Sequence, residues 1–138
     1  MIFIDTNVIS ETLRLQPEPR VLEWLTRHDS ELAIPSIVVA EIALGIHKLQ
    51  PDRRAKRLMR GLDAWRQRLA GRIMAFNEES ALIYGDLMGA SSKHGRAMSA
   101  QDGMIAAIAR IHAGKLATRN VRDFEHAGVD IVNPWSAR

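Results

Sequence analysis

The chain contains no cysteine, which excludes disulfides and thiolate-bound zinc and leaves a reducing compartment open to it. No glycine-rich phosphate loop occurs, and no serine sits in a nucleophile elbow. The five histidines, His28, His47, His94, His112 and His126, show none of the i, i+4 pairing of zinc helices. Long apolar runs are missing as well. The most extended, Leu32 to Ile46, is interrupted by Pro35, Ser36 and Glu41, and the start of the chain has neither a basic n-region nor a small-residue cleavage site. Neither standard export nor membrane insertion is expected, and the expected location is the cytoplasm.

What is present fits one globular domain, residues 1–138. At this length, with 46% hydrophobic residues, a chain buries roughly two-thirds of its unfolded surface without staples. No linker, internal repeat or low-complexity tract divides it. Short apolar runs at Ile2 to Ile4, Leu32 to Ile34, Ile73 to Phe76, Leu116 to Thr118 and Ile131 to Val132 read as strands. Between them the spacing predicts helices near Val8 to Leu15, Arg20 to His28, Ser36 to Leu49, Asp52 to Leu69, Glu78 to Ser92 and Ala100 to Ala113. Strands alternating with helices imply an α/β layered fold with a largely parallel central sheet, whose ligands bind beyond the carboxyl ends of the strands.

Charge is unevenly distributed. Eight of the 19 basic residues lie between Pro51 and Arg72 against only Asp52 and Asp63, so the rest of the chain is net acidic. A basic face that draws in a polyanion is one reading, and an ordinary solvated helix face is the other.

Four acids stand where an apolar or neutral residue would fold more easily: Asp5, Glu41, Asp102 and Asp123. A carboxylate in an apolar segment costs several kcal/mol unless hydrogen bonds, a cation or a raised pKa compensate it. Asp5 follows the first strand and could simply cap the next helix, yet Thr6 and Asn7 could cap it equally well. Glu41 has Ile37, Val38, Leu44 and Gly45 as helical neighbours, on a helix expected to be apolar nearly all round and buried. A buried salt bridge to an arginine is its alternative role, and Gly45 would admit close approach of another backbone or a substrate, or merely relieve crowding. Asp102 completes a capping-box pattern from Ser99, which does not exclude ligation. Asp123 could belong to an ordinary turn, with Asn120 an equal polar contributor from the same loop. Gathered together, such acids form a hard-oxygen site suited to magnesium or manganese rather than zinc or copper.

Ile2 to Asn7, the Pro35 to Gly45 segment, Ala100 to Ala107, and Ala117 to Asn120 with Asn133-Pro134-Trp135 together resemble a PIN domain over essentially the whole chain. The match is most similar to VapC-type toxins of the FitB-like branch. That resemblance implies a three-layer PIN-like fold and a magnesium-dependent (or manganese-dependent) endoribonuclease that is the toxin of a type II toxin–antitoxin pair. Asp5 and Asp102 correspond to the principal metal-binding acids and Glu41 to the acid of the second motif. Thr6, Asn7 and Thr118 correspond to supporting polar positions. Where some members carry an aspartate directly after Thr-Arg, this chain has Asn120, with Asp123 three positions later.

On this reading Asp5, Asp102 and Glu41 hold the ion, and Asp123 or Asn120 binds a second ion or orients water. Arg53, Arg54, Lys56, Arg57 and Arg60, with Arg119 nearer the site, hold the RNA backbone. Trp65 either stacks on a base or packs on its own helix. A homodimer is implied, as is a small cognate antitoxin. The expected inhibitor inserts an arginine among Asp5, Glu41 and Asp102 and lays an apolar helix in a groove near Leu25, Leu58, Leu62 and Trp65. A maturation or DNA nuclease of the same fold, or a non-catalytic nucleic-acid-binding module, are the alternatives.

Overall fold

Parallel pairing of five short strands organises the molecule, which a computed structural model describes over residues 1–137. The strands are β1 (Ile2–Ile4), β2 (Leu32–Pro35), β3 (Ile73–Met74), β4 (Lys115–Ala117) and β5 (Ile131–Val132), and they lie in the order β3-β2-β1-β4-β5. Every pairing is parallel, with Phe3 opposite Ala33 on one side and Leu116 on the other. β1 and β2 are buried along their whole length, as continuous apolar runs at the middle of a parallel sheet require.

Seven helices connect the strands among the described residues: α1 (Thr6–Thr12), α2 (Pro19–Arg27), α3 (Ser36–His47), α4 (Arg53–Arg68), α5 (Glu78–Lys93), α6 (Ala100–Ile111) and α7 (Val121–Phe124). The chain runs outward from β1 through β2 to β3, then crosses back to β4 and on to β5. Right-handed crossovers taken in opposite directions lie on opposite faces of a sheet, which yields three layers. The reversal occurs between β1 and β4, the neighbours at the centre.

Caps set most helix starts. Asp5 accepts from the Thr6 amide at 2.8 Å, so α1 begins two residues earlier than its apolar pattern predicts, and it ends at Thr12. Asp52 caps α4 through the Ala55 amide, and Asn77 caps α5 through Ser80. Pro19 opens α2 at its first turn.

Three expectations need correction. The third strand pairs only at Ile73 and Met74, because the amide of Phe76 turns to the Ser36 hydroxyl at 3.2 Å. The α3 helix is not buried all round: Val38, Ile42 and Ile46 face the core, whereas Ala40 and Gly45 face outward and Leu44 is 58% exposed. No other backbone among the described residues packs closely on Gly45, since a Cβ there would meet nothing within 4 Å. One further element, α7, was unanticipated because four residues are too few to display a helical period.

Candidate active site

At the central reversal, the ends of β1 and β4 present Asp5 and Thr118 side by side. Open parallel sheets bind ligands at this kind of switch point. The Asp5 amide continues the ladder to the Ala117 carbonyl at 2.9 Å, which fixes where its side chain emerges. That carboxylate is only 4% exposed and accepts three hydrogen bonds. One oxygen accepts from the Thr6 amide, and the other accepts from the Thr118 hydroxyl at 2.7 Å and the Asn7 amide nitrogen at 3.1 Å.

Thr118, completely buried, donates its single proton to Asp5 and accepts from Asn7 at 3.2 Å and from the Asn120 backbone at 3.0 Å. Its hydroxyl is thereby saturated. Asn7 links the two strand ends, because its carbonyl oxygen also accepts from the Arg119 amide at 3.1 Å. Capping and site-building are thus the same act for Asp5.

Glu41 approaches from the first turns of α3, where the Thr6 hydroxyl donates to it at 2.9 Å. The alternative of a salt bridge to arginine is overturned: among the described residues no Lys or Arg pairs with Glu41, nor with Asp5, Asp102 or Asp123. Asp102 lies in the first turn of α6, whose Ser99 cap accepts from the Asp102 amide at 3.1 Å. Asp123 is exposed on α7. Asn120, also exposed, precedes α7 without a side-chain capping bond.

Electrostatics ties the four acids together. Burial holds the Asp102 carboxyl up at about 6, and the charges of Asp5, Asp123 and Glu41 push in the same direction while Ser99 opposes. Asp5 is likewise raised, chiefly by burial, against the opposing hydrogen bonds of Thr118, Thr6 and Asn7 and with help from Asp123. The charge of Asp123 is felt by both aspartates, so the loop after β4 supplies a fourth negative charge despite Asn120. No three acidic or histidine side chains close into a coordination cage among the described residues. The donor set nevertheless fits a divalent cation: all hard oxygens, destabilised by one another and lacking any internal positive charge.

Buried Glu11 makes the contrast. The Arg14 guanidinium clasps it at 3.0 and 3.2 Å and the Glu18 amide donates to it, so its charge is already neutralised and it serves the α1–α2 turn.

Glu41 and Thr6 stand at one end of a cleft of about 740 Å³ between α1, α3 and α4, walled by Leu13, Ile46 and Leu58 and bearing Arg14, Arg54 and Arg57. Arg57 is half-buried and donates to the Leu13 carbonyl at 2.7 Å, so part of its expected role is structural. Arg53, Lys56 and Arg60 are exposed on the same helix but do not line the cleft. The Arg119 guanidinium lies over the Trp135 ring, 5.0 Å from its centroid.

Trp65 is not a base platform: it is buried, and its indole donates to the Thr12 hydroxyl at 2.9 Å. Leu25 and Leu62 are also core residues, which leaves Leu58 as the partner-groove candidate that reaches the cleft. Two arginines escaped the sequence reading, Arg96 and Arg122, which line a second cleft beside Asp123. Neither belongs to a run of basic residues such as the one between Pro51 and Arg72.

Residues 2–129 match the PIN domain. The chain belongs to the PIN-domain family. It is 41% identical to Toxin FitB of Neisseria gonorrhoeae, an alignment that covers 98% of this chain and 99% of that protein. The VapC ribonuclease Y4jK of Sinorhizobium fredii is 37% identical, with 98% of each chain covered. Among solved structures, FitAcB from Neisseria gonorrhoeae superposes with a TM-score of 0.92 at 39% identity, covering 99% of this PIN domain and 100% of that chain. The all-parallel sheet and flanking helices are thus the PIN fold. No helix among the described residues is long and apolar enough to cross a membrane.

Proposed function

We propose that this PIN domain is a metal-dependent endoribonuclease acting in the cytoplasm as the toxin of a type II toxin–antitoxin pair, and that residues 1–138 form one such domain. The observation that carries the reading is the gathering of Asp5, Glu41, Asp102 and Asp123 at the carboxyl edge of the sheet with no lysine or arginine among the described residues paired to them. Likeness to proteins named as a toxin and as a VapC ribonuclease supports it.

Asp5, Asp102 and Glu41 are the residues that would hold a divalent ion, Mg2+ or Mn2+. When bound, such an ion supplies charge stabilisation to a phosphoryl-transfer transition state, worth several kcal/mol. The chain's own residues do the positioning. Thr118 and Asn7 lock the Asp5 carboxylate in one orientation, and Thr6 does the same for Glu41. Asp123 is the exposed acid able to orient the attacking water. Arg53, Arg54, Lys56, Arg60 and Arg119 attract the phosphodiester backbone.

A small antitoxin would silence this site by inserting an arginine among the unpaired carboxylates. The same protein's apolar segment suits the cleft that begins at Glu41, which combines apolar walls with arginines. A homodimer carrying two such sites is part of the same reading.

Purified protein is expected to cleave RNA with Mg2+ or Mn2+ and to stop on chelation. Asp5→Asn and Asp102→Asn should each lose about 100-fold or more of the rate, the equivalent of several kcal/mol of barrier, while melting as folded proteins. Undiminished cleavage by Asp102→Asn in chelator would overturn the mechanism. Co-expression with the product of a neighbouring small open reading frame should yield an inactive complex, and a free, active nuclease would overturn the toxin assignment.

A further inference from the structure

The acids lie between two clefts. The first begins at Glu41, which follows β2. The second, of about 310 Å³, contains Asp123, which follows β4 on the other side of β1. It is formed by the end of α5, the turn that follows it and α7. Leu87 and Met98 contribute apolar surface to it, while Arg96 and Arg122 stand at its rim.

Charges around this cleft are unevenly committed. Glu125 faces His126 at 3.5 Å, and Asp123 belongs to the acid cluster. Neither Arg96 nor Arg122 has an ion-pair or side-chain hydrogen-bond partner among the described residues, and both are exposed. Two guanidinium groups without partners, held beside an acid cluster over an apolar floor, ask for an occupant that is anionic at one end and flat and apolar at the other. A nucleotide has that form: proteins read single-stranded RNA by packing unstacked bases on side-chain surfaces and by pairing arginines with phosphates. Ligand pockets run from roughly 300 to 1,000 Å³, so this cleft suits a single nucleotide and not a helix.

We propose that this second cleft is a substrate subsite that takes the nucleotide next to the scissile phosphate, its base against Leu87 and Met98 and its phosphate between Arg96 and Arg122. The strand then crosses the acids with one neighbour anchored, which holds the scissile bond over Asp5 and Asp102. The substrate at this point must be single-stranded, because a paired base could not enter. The inference rests on the nuclease reading for what happens at the acids, though not for binding.

The test uses the full chain and a fluorescent single-stranded RNA oligonucleotide. Arg96→Glu, and Arg96→Glu combined with Arg122→Glu, should raise KM about tenfold or more with kcat within about threefold, and the double variant should flatten the salt dependence of binding by roughly one phosphate contact. Arg96 is varied alone because it belongs to the turn after α5, whereas Arg122 adjoins Asp123 on α7. Arg27→Glu, on the exposed face of α2, is the surface-charge control and should change nothing. An abasic position introduced beside the cleavage site should weaken binding several-fold in the wild type and not in the Arg96→Glu protein.

The same affinities measured on Asp102→Asn protein separate the two claims. If the wild type cleaves but KM, salt slope and abasic sensitivity are unchanged in the variants, the subsite is wrong and the nuclease stands. If nothing is cleaved but binding still depends on Arg96, Arg122 and the base, the subsite stands and the nuclease reading fails. Loss of affinity on charge reversal with no response to base removal would reduce the cleft to an anion contact and overturn the nucleotide assignment.

Discussion

A single buried hydroxyl joins the two strand ends at the site. Thr118 is the donor that keeps Asp5 oriented, and hydrogen bonds to charged groups contribute about 1.5–3 kcal/mol. Thr118→Val keeps the shape and deletes that donor, so it should destabilise the protein by about 1–3 kcal/mol in denaturant melts and lower the cleavage rate. Thr6→Val tests the same logic at Glu41, whose carboxylate is only half-buried, and should cost less stability. Equal losses from the two would argue against burial as the deciding factor. Such roles are hard to see in a sequence, where Thr118 is one threonine after an apolar run. Its partners Asp5 and Asn7 lie at the other end of the chain.

Helices carry the site through their ends, and their glycines show which faces are free. In α3 a Cβ on Gly45 meets nothing, so Gly45→Ala should stabilise the protein by up to about 1 kcal/mol through helix propensity alone. Gly114, between α6 and β4, differs: a Cβ there would lie 2.8 Å from the buried Phe3 ring and 3.2 Å from the Met1 carbonyl. Gly114→Ala should therefore destabilise by about 1–3 kcal/mol and, by spreading β4 from β1, weaken the contact between Thr118 and Asp5. Thermal melts of the pair check both signs. The starts of α4, α5 and α6 were readable within one or two residues because Asp52, Asn77 and Ser99 are strong caps at the edge of apolar periodicity. The exposure of Leu44 was not readable, because composition alone does not say which side of an apolar helix a neighbour covers.

Across the whole molecule the gathered acids make stability depend on pH and on cations. Asp102 titrates near 6 in the folded protein against an ordinary value of 3.8, and Asp5 is shifted in the same direction. The native state therefore binds more protons than the unfolded chain between those values. The contribution of these groups is fully present below pH 3.8 and is lost as pH rises through about 6. Metal-free protein should show this loss in melting temperature, and Asp102→Asn should show a smaller one. Saturating Mg2+ or Mn2+ should raise the melting temperature at neutral pH by binding only the native state, with affinity that grows as the carboxyls deprotonate. A wild-type pH profile unchanged by Asp102→Asn, or no stabilisation by either ion, would count against the clustered site.

The order of strands and helices follows from local causes, since apolar periodicity and capping chemistry act between near neighbours in the chain. The odd placement of Asp5, Glu41 and Asp102 was legible for the same reason: each breaks a pattern that its own neighbours establish. Whether those acids meet is a different kind of fact. Asp5 and Thr118 are brought together by the β1–β4 pairing and the reversal of strand order beside it, and only the tertiary structure decides that. It also decides which charges are already committed. Glu11 has its arginine and Trp65 its threonine, while none of the four site acids, and neither Arg96 nor Arg122, has an oppositely charged partner among the described residues, because pairing depends on through-space distances that sequence separation does not encode.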